Sequence, residues 1–579
     1  MLSPQLKGQI RTLWDAFWSG GIANPLTAIE QITYLVFLKR LEILDNERSN
    51  TNPGYKSIYD FPAIKSKDEA TQEEKIIRPG GETFRWSYIK ELPSEERFVH
   101  VRKFVFDWLK ELEGAEQERM RDAVFLLPSA NLLTKAVDII DDLFVPERNQ
   151  DTLGDIYEDL LNEIATAGKN GQFRTPRHII RAMCDLVDVR YGDRVCDPAC
   201  GTGGFLVNAY QHILQSSTSP DILRFKDDGT PINAIGDRLT PEEHMELRRN
   251  HLYGFDFDRT MVRLGWMNMI QHGLENPKLN YADSLGSKFN ERVAEGGDLH
   301  EAFDVVLANP PFTGNIDKND IGETLRPLGT TKTELLFVDL IMQLLKPDIG
   351  RAAVIVPEGV LFGSTRAHLA LRRKLIEQTQ IQAVISLPGG VFQPYTGVKT
   401  SILVFLKGGR TENVWFYGLS WDGETLNAKR EPDPKNNDLW DMRLKFKLRY
   451  GQQPPAFIRP HKEEWQAWLA LSEEERSLHY LQPRFTQVEE TDDEGHPLRV
   501  PEVKDFETRS IPTPKDWPAA PSDLADRDNN LSAGRYKPFV LEAAEHVAPS
   551  ELISELKEIE IRIQNGLDIL QRMVAGEDE

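Results

Sequence analysis

Residues 194–205 read RVCDPACGTGGF. A short β-prone run through Val195 and Cys196 stops at Asp197, and Gly201, Gly203 and Gly204 follow before a helix predicted to begin near Phe205. Strand, acid, glycine loop and helix in that order bring backbone amides and a helix N-terminus close to a ligand. The acid stands four residues ahead of a GxG, unlike the dinucleotide-binding GxGxxG, and suits a ligand without a pyrophosphate. Thr202 completes the loop. Downstream, LYGFD (252–256), FDVVLANPPF (303–312), RAAVIVP (351–357), IQAVISLP (381–388) and SILVFLK (401–407) are short β-rich runs separated by helical stretches. That alternation predicts a doubly wound α/β sheet, Rossmann-like, with helices on both faces.

The second strand ends in Asp256, where a carboxylate can accept both hydrogen bonds of a ribose diol, with Asp258 as its rival. Asp256 lies 59 residues beyond Asp197, against the usual interval of about 20, so an insertion fills the gap. The polar residues at about 213–249 are that insertion. A third short strand is predicted to end at Asp283 in NYADSL, placed to meet a purine ring amine.

The run FDVVLANPPF predicts a buried strand that ends in Asn309-Pro310-Pro311-Phe312. Two prolines fix φ and remove two N–H donors, so the Pro310 carbonyl and the Asn309 side chain are offered as rigid acceptors. Paired acceptors suit an NH2 donor. The exocyclic amine of a nucleobase is a poor nucleophile, because its lone pair is delocalised into the ring. Two acceptors holding its hydrogens favour the pyramidal form and free that pair for in-line attack on a methyl sulfonium, an electrostatic preorganisation. Phe312 would stack on a base flipped out of its helix.

The rest of the chain frames this centre. At 579 residues it exceeds one domain, and 40% hydrophobic content is enough for several cores and excludes wholesale disorder. Residues 1–148 read as a helical domain: Leu13, Trp14, Phe17 and Trp18 recur at helical spacing, and Thr27 with Glu30 predicts a capping box for the next helix. The catalytic domain is expected at 149–410, a mixed region with a Pro-rich acidic connector or extended arm at 411–530, and a C-terminal helical segment at 531–579. In that last segment Leu556, Ile559, Ile563, Leu567, Leu570 and Val574 form a seam suited to a partner helix.

A net charge of −22 excludes a protein whose whole surface coats nucleic acid. The acid is concentrated at 411–579, whereas 351–410 is basic and offers Arg366, Arg372, Arg373, Lys374 and Lys399 as phosphate contacts. KFKLRY at 445–450 is also locally basic. Three cysteines form neither a disulfide framework nor a zinc ligand set, so no metal site is expected and a reducing, cytoplasmic setting fits. MLSPQLKGQI has no apolar signal segment, and no run approaches the roughly 18 apolar residues of a membrane span.

Taken together, LWDAFWSGGIANPLTAIEQITYLVFLKRLE, GQFRTPRHI, DPACGTGGF, NPPF, TELLFVDLIMQLLKPDIGRAAVIVPEGVLF and LPGGVFQPYTGVKTSILVFLK resemble the modification subunits of type I restriction-modification systems. These are S-adenosylmethionine-dependent adenine N6 DNA methyltransferases of the gamma arrangement. The resemblance implies a mixed seven-stranded methyltransferase sheet and S-adenosyl-L-methionine as cofactor. It implies that Gln172, Phe173, Arg174, Thr175, Pro176 and Arg177 fold over the methionine end of the cofactor, with Thr175-Pro176 opening a helix as N-cap and first residue. Expected partners are DNA, a specificity subunit that reads the site, a second copy of the modification subunit and, in some assemblies, a restriction subunit. Asp256 stands where the family often has Glu, a shorter reach. Competing readings are an RNA-base or protein-glutamine methyltransferase and a non-catalytic scaffold. A self-contained restriction enzyme would need a nuclease cluster and a helicase P-loop, and the sequence has neither.

Overall fold

The computed structural model describes residues 2–52, 54–67, 74–112, 120–145, 150–166, 174–226, 230–450, 462–491 and 497–538, and a few positions between 557 and 564. The chain divides into Met1–Lys537 and Pro538–Glu579. Of the C-terminal seam, only Ile563 is among the described residues.

The first unit is organised by one sheet. Its strands are β1 (Val195–Asp197), β2 (Leu252–Asp256), β3 (Lys278–Tyr281), β4 (Val305–Ala308), β5 (Arg351–Pro357), β6 (Thr379–Ser386), β7 (Thr400–Lys407), β8 (Val414–Gly418) and β9 (Asp516–Ala519). They lie in the order β9-β8-β6-β7-β5-β4-β1-β2-β3. Strands β1 to β5 pair in parallel, and β7 runs antiparallel between β5 and β6. These seven strands are the expected mixed sheet. It is widened to nine by β8, parallel to β6, and β9, antiparallel to β8. Strand order reverses at β1, where Val195 faces Leu252 on one side and Val305 on the other, so the carboxyl ends of β1 and β4 open a crevice.

Helices α1 (Pro4–Ser19), α2 (Pro25–Thr51), α3 (Ala130–Leu143) and α4 (Gln150–Thr166) build the amino-terminal part, with a small hairpin at Ile64–Lys67 and Glu74–Arg78. The α2 helix starts earlier than the expected Thr27 cap: Asn24 Oδ1 accepts from the amides of Leu26 (2.9 Å) and Thr27 (3.4 Å), and Pro25 occupies the first turn. Glu30 instead receives Tyr34 and Arg263, the latter nearly buried. These helices share one apolar core with Met261, Leu264, Trp266, Met267 and Ile270 from later in the chain.

On the sheet's flanks lie α5 (Arg177–Leu186), α6 (Gly204–Ser216), α7 (Arg259–Gln271), α8 (Arg366–Gln378) and α9 (Leu439–Arg449). Leu264, Trp266 and Ile270 of α7 bury against Tyr34, Phe37 and Leu41, and the Phe37 and Trp266 rings meet edge-on at 5.3 Å. The 213–249 insertion begins with the end of α6 and closes with a capped helix, Pro241–Asn250. Its Leu223 and Phe225 bury against Trp440, Leu444, Trp468, Leu481 and Phe506. The insertion therefore supports the region that follows the sheet.

Two sequence expectations are corrected, and one locally basic segment finds its partners within the fold. The residues read as an unpacked arm form a two-stranded antiparallel ribbon, His479–Thr491 paired with Pro497–Ser510, and their continuation joins the main sheet as β9. The basic KFKLRY segment is spent inside the fold: Lys445 pairs with Asp441 (3.1 Å) and Asp516 (3.0 Å), and Lys447 with Asp185 (3.1 Å). Arg372 is buried, donating to the carbonyls of Gly363 (2.8 Å) and Asn529 (2.9 Å), and Lys374 pairs with Asp339. Arg366, Arg373 and Lys399 remain exposed, Lys399 with Glu358 at 3.0 Å.

Candidate active site

A cavity of about 780 Å³ opens at the carboxyl ends of β1, β2 and β4. Arg174, Gly201, Thr202, Asp256, Asp283, Asn309 and Pro311 all line it. A smaller recess of about 60 Å³ shares Arg174, Gly201, Thr202 and Asn309 with it and adds Thr175, Arg177, Asp197 and Gly204. Gln172 and Phe173 lie outside the described residues.

The glycine loop has the conformation its sequence requires. Gly201 and Gly203 take φ of +50° and +74°, where side chains are strained, and nothing lies within 4 Å of a Cβ built on Gly201. That open backbone is a cradle for a ligand. Behind it, Gly265 of α7 allows close approach: a Cβ there would stand 2.9 Å from the Gly201 carbonyl oxygen. Asn268, one turn on, donates to the Thr202 carbonyl at 3.0 Å. Neither residue was predicted. An isolated glycine within the helical pattern GWMNMI was the one available signal.

Asp197 is buried, and its Oδ1 accepts from the Ala199 amide at 3.0 Å. Its Oδ2 is buried without a partner. Burial, joined by the nearby Asp256 carboxylate and opposed by the Ala199 amide, pushes Asp197 up to about 8. An orphaned carboxylate oxygen in a recess fits a cationic amino group. Asp256 Oδ2 accepts from the Gly201 amide (2.9 Å) and Oδ1 from the Asp258 amide (2.9 Å), and each oxygen keeps a lone pair for the cavity. Its rival is assigned elsewhere. Asp258 caps α7, accepting from Thr260 (2.8 Å) and Met261 (3.3 Å). Asp283 lies two residues beyond β3, which ends at Tyr281, and its Oδ1 accepts from the Leu285 amide at 3.1 Å. Phe257, on the cavity wall and 66% exposed, offers a ring face beside Asp256 that the sequence reading passed over.

The four residues of NPPF divide. Asn309 and Pro311 line the cavity, whereas Pro310 is buried and is not among its lining residues. Phe312 is buried, its ring edge-on to Phe392 at 5.4 Å, so its stacking face is covered in this structure. Asn309 Nδ2 donates to Thr175 Oγ1 at 2.9 Å, and Asn309 Oδ1 is buried without a partner. Thr175 was expected to cap α5. The helix instead begins after Pro176, with no side-chain cap, and the hydroxyl serves Asn309. The guanidinium groups of Arg174 and Arg177 turn toward Glu158 on α4, which the sequence reading did not single out.

The three free cysteines, Cys184, Cys196 and Cys200, are buried, and burial raises each thiol. Among the described residues no cluster of His, Cys, Asp or Glu could hold a metal ion, and no helix is long and apolar enough to cross a membrane.

A sheet with β7 reversed between β5 and β6 and a crevice at the carboxyl ends of β1 and β4 is the fold of a Rossmann-like methyltransferase. The N-6 DNA methylase family matches residues 148–476, and the HsdM N-terminal domain family matches residues 6–140. The chain belongs to the N-6 DNA methylase family, as a type I restriction-modification methylase subunit and adenine-specific DNA methyltransferase. It is 33% identical over 423 residues to the type I restriction enzyme EcoEI methylase subunit of Escherichia coli, covering 71% of this chain and 77% of that one. It is 28% identical over 538 residues to the EcoKI methylase subunit of Escherichia coli K12, covering 89% and 90%. In fold it resembles a chain of a solved type I R-M system (TM-score 0.64, 24% identity, 100% and 99% covered). It also resembles the type I methyltransferase subunit of Streptococcus thermophilus (TM-score 0.57, 18% identity, 93% and 100% covered).

Proposed function

We propose that this chain transfers a methyl group from S-adenosyl-L-methionine to N6 of an adenine flipped out of a specific duplex DNA site. The observation that carries the reading is Asn309: its Oδ1 is a buried acceptor without a partner at the end of β4, on the cavity wall. A buried, unsatisfied amide oxygen costs about 1–3 kcal/mol, and a ligand N–H in the cavity recovers that cost.

The residues present fit the cofactor. Asp197 Oδ2 receives its amino group, the Gly201 backbone admits close approach, and Asp256 keeps lone pairs for a ribose diol. Asp283 lies within reach of a purine amine on the same wall, and Phe257 offers its ring face. S-adenosylmethionine supplies, when bound, a methyl group on a positively charged sulfur. Asn309 Oδ1 and the Pro310 carbonyl hold the hydrogens of the adenine amine and direct its lone pair at that carbon. The cofactor would supply the methyl carbon and keep the S–C electron pair on sulfur, and the proton lost by the amine nitrogen would pass to water. Stacking by Phe312 requires the Phe392 segment to move aside on base entry.

Site choice is assigned to a specificity subunit, with a second modification subunit and DNA completing the assembly and a restriction subunit joining some forms. Exposed Arg366, Arg373 and Lys399 are the chain's own phosphate contacts. The proposed division is a helical domain at 1–148, a catalytic domain at 149–410 whose sheet is widened by β8 and β9 of the mixed region at 411–530, and a partner-docking segment at 531–579. Asn309→Ala tests the reading. It is expected to abolish transfer while leaving cofactor affinity largely intact, and lost affinity in calorimetry would mean that Asn309 serves the cofactor instead.

A further inference from the structure

We infer that Glu158 of α4 is a positioning residue for the methyl-transfer step, acting through Arg174, Arg177 and Thr175 on the orientation of the Asn309 amide. The inference rests on Asn309 being the amine acceptor. Glu158 is almost fully buried, its Oε2 accepting from Arg174 Nη2 at 2.8 Å and from Arg177 Nε. Arg174 Nη1 also donates to the Glu158 carbonyl (2.9 Å) and Asn162 Oδ1 (2.7 Å), and Arg177 Nη1 to Asp155 Oδ1 (2.7 Å). One face of α4 thus grips the residues on both sides of Thr175-Pro176.

Thr175, itself buried, is held with its hydroxyl against Asn309 Nδ2. A side-chain amide has one donating and one accepting end, so fixing the NH2 on Thr175 leaves Oδ1 as the acceptor. Turned over, the amide would set its own NH2 against an amine donor, and two donors facing each other give no hydrogen bond. In this arrangement the clamp fixes the place of the amide on the cavity wall and leaves Oδ1 to accept. It does so with a carboxylate from a helix that packs on α2 and α7, outside the catalytic sheet.

The ionisation state supports this geometry. Burial alone would raise Glu158, but the charges of Arg177, Arg174 and His272 outweigh it and hold the carboxyl at about 2. The Glu158 carboxylate is therefore ionised at neutral pH.

The test uses the full chain assembled with its specificity subunit, reading single-turnover methyl transfer at saturating cofactor and cofactor affinity by calorimetry. Thr175→Val keeps the ion pairs and removes only the hydroxyl. It is expected to slow transfer about 10- to 100-fold, as misorientation of a catalytic group does, with cofactor affinity within about 3-fold. Thr175→Ser is expected to restore the rate. Glu158→Gln is expected to slow transfer alike, and the double variant to be no slower than the worse single one, because both act on one link. Should Glu158→Gln not fold, Arg174→Lys keeps the charge, loses the fork and reads the same link. An unchanged rate in Thr175→Val, or a loss of cofactor affinity matching the loss of rate, overturns the inference. The wild-type product is identified in the same assay. A methyl group found elsewhere than adenine N6 would refute the proposed function, while the ratio of variant to wild type would still judge the clamp.

Discussion

The Asp256 carboxylate accepts the Gly201 amide at 2.9 Å, tying the end of β2 to the glycine cradle after β1. Two strands adjacent in the sheet but distant in the chain thereby set the shape of the cavity together. Asp256→Ala removes that tie and the proposed ribose acceptor at once. Calorimetry is expected to show cofactor affinity reduced about 10- to 100-fold, the scale of a hydrogen bond to a charged group. Asp258→Ala, which removes a helix cap, should cost about 1 kcal/mol of stability with cofactor affinity nearly unchanged.

Asp197 predicts a pH dependence of defined sign. Its value in the fold, about 8, lies above the ordinary 3.8, so between those limits the ligand-free fold holds a proton that the unfolded chain has released. Stability from this group is present at low pH and falls as pH rises toward 8. Thermal melting of the ligand-free chain from pH 5 to 8 should therefore decline more in wild type than in Asp197→Asn. Parallel profiles would contradict the assignment.

Arg372 and its neighbours on α8 separate structure from DNA contact. Arg372→Ala leaves the Asn529 and Gly363 carbonyls without their donor and is expected to lower stability by about 1–3 kcal/mol. Arg366→Ala and Arg373→Ala should leave stability within about 0.5 kcal/mol and each reduce the salt slope of DNA binding by about one. Denaturant melts and binding titrations across salt concentrations read the two effects independently.

The contrast between these arginines marks what the sequence could convey. Strand β1, the glycine loop and the NPPF turn were legible because their chemistry is local: apolar runs ending in residues that only a turn or a ligand explains. The basic stretches were misread where the partner is remote. Lys445, Lys447 and Arg372 look like a cationic surface until Asp516, Asp185 and Asn529 arrive from elsewhere in the chain. The ribbon was missed because its two strands alternate weakly and carry prolines. Thr175 was read as a cap, since a Thr-Pro pair before a helix has that local meaning. Its service to Asn309 spans 134 residues, and no periodicity records it. Gly265 and Glu158 matter for the same kind of reason, each through a contact the fold alone supplies.

The charge balance reads differently once the structure is in place. Of the basic residues singled out at 351–410 and 445–450, Arg372, Lys374, Lys445 and Lys447 have partners within the fold, whereas Arg366, Arg373 and Lys399 are exposed. Backbone affinity for DNA is expected to come mainly from the assembly. The isolated chain should methylate duplex DNA slowly and without site choice, and adding the specificity subunit should restore both rate and selectivity. Normal rate and site choice in the isolated chain would remove the dependence.

The central claim is methyl transfer to adenine N6 directed by Asn309, and one measurement addresses it most directly. The assembled wild-type and Asn309→Ala proteins are incubated with duplex DNA and tritiated S-adenosylmethionine, the DNA is digested to nucleosides, and the labelled nucleoside is identified. Label in N6-methyladenine with wild type, and loss of at least about 100-fold with Asn309→Ala while cofactor binding persists, is the predicted result. Label in another base, in RNA or in protein, or an Asn309→Ala protein as active as wild type, would contradict it.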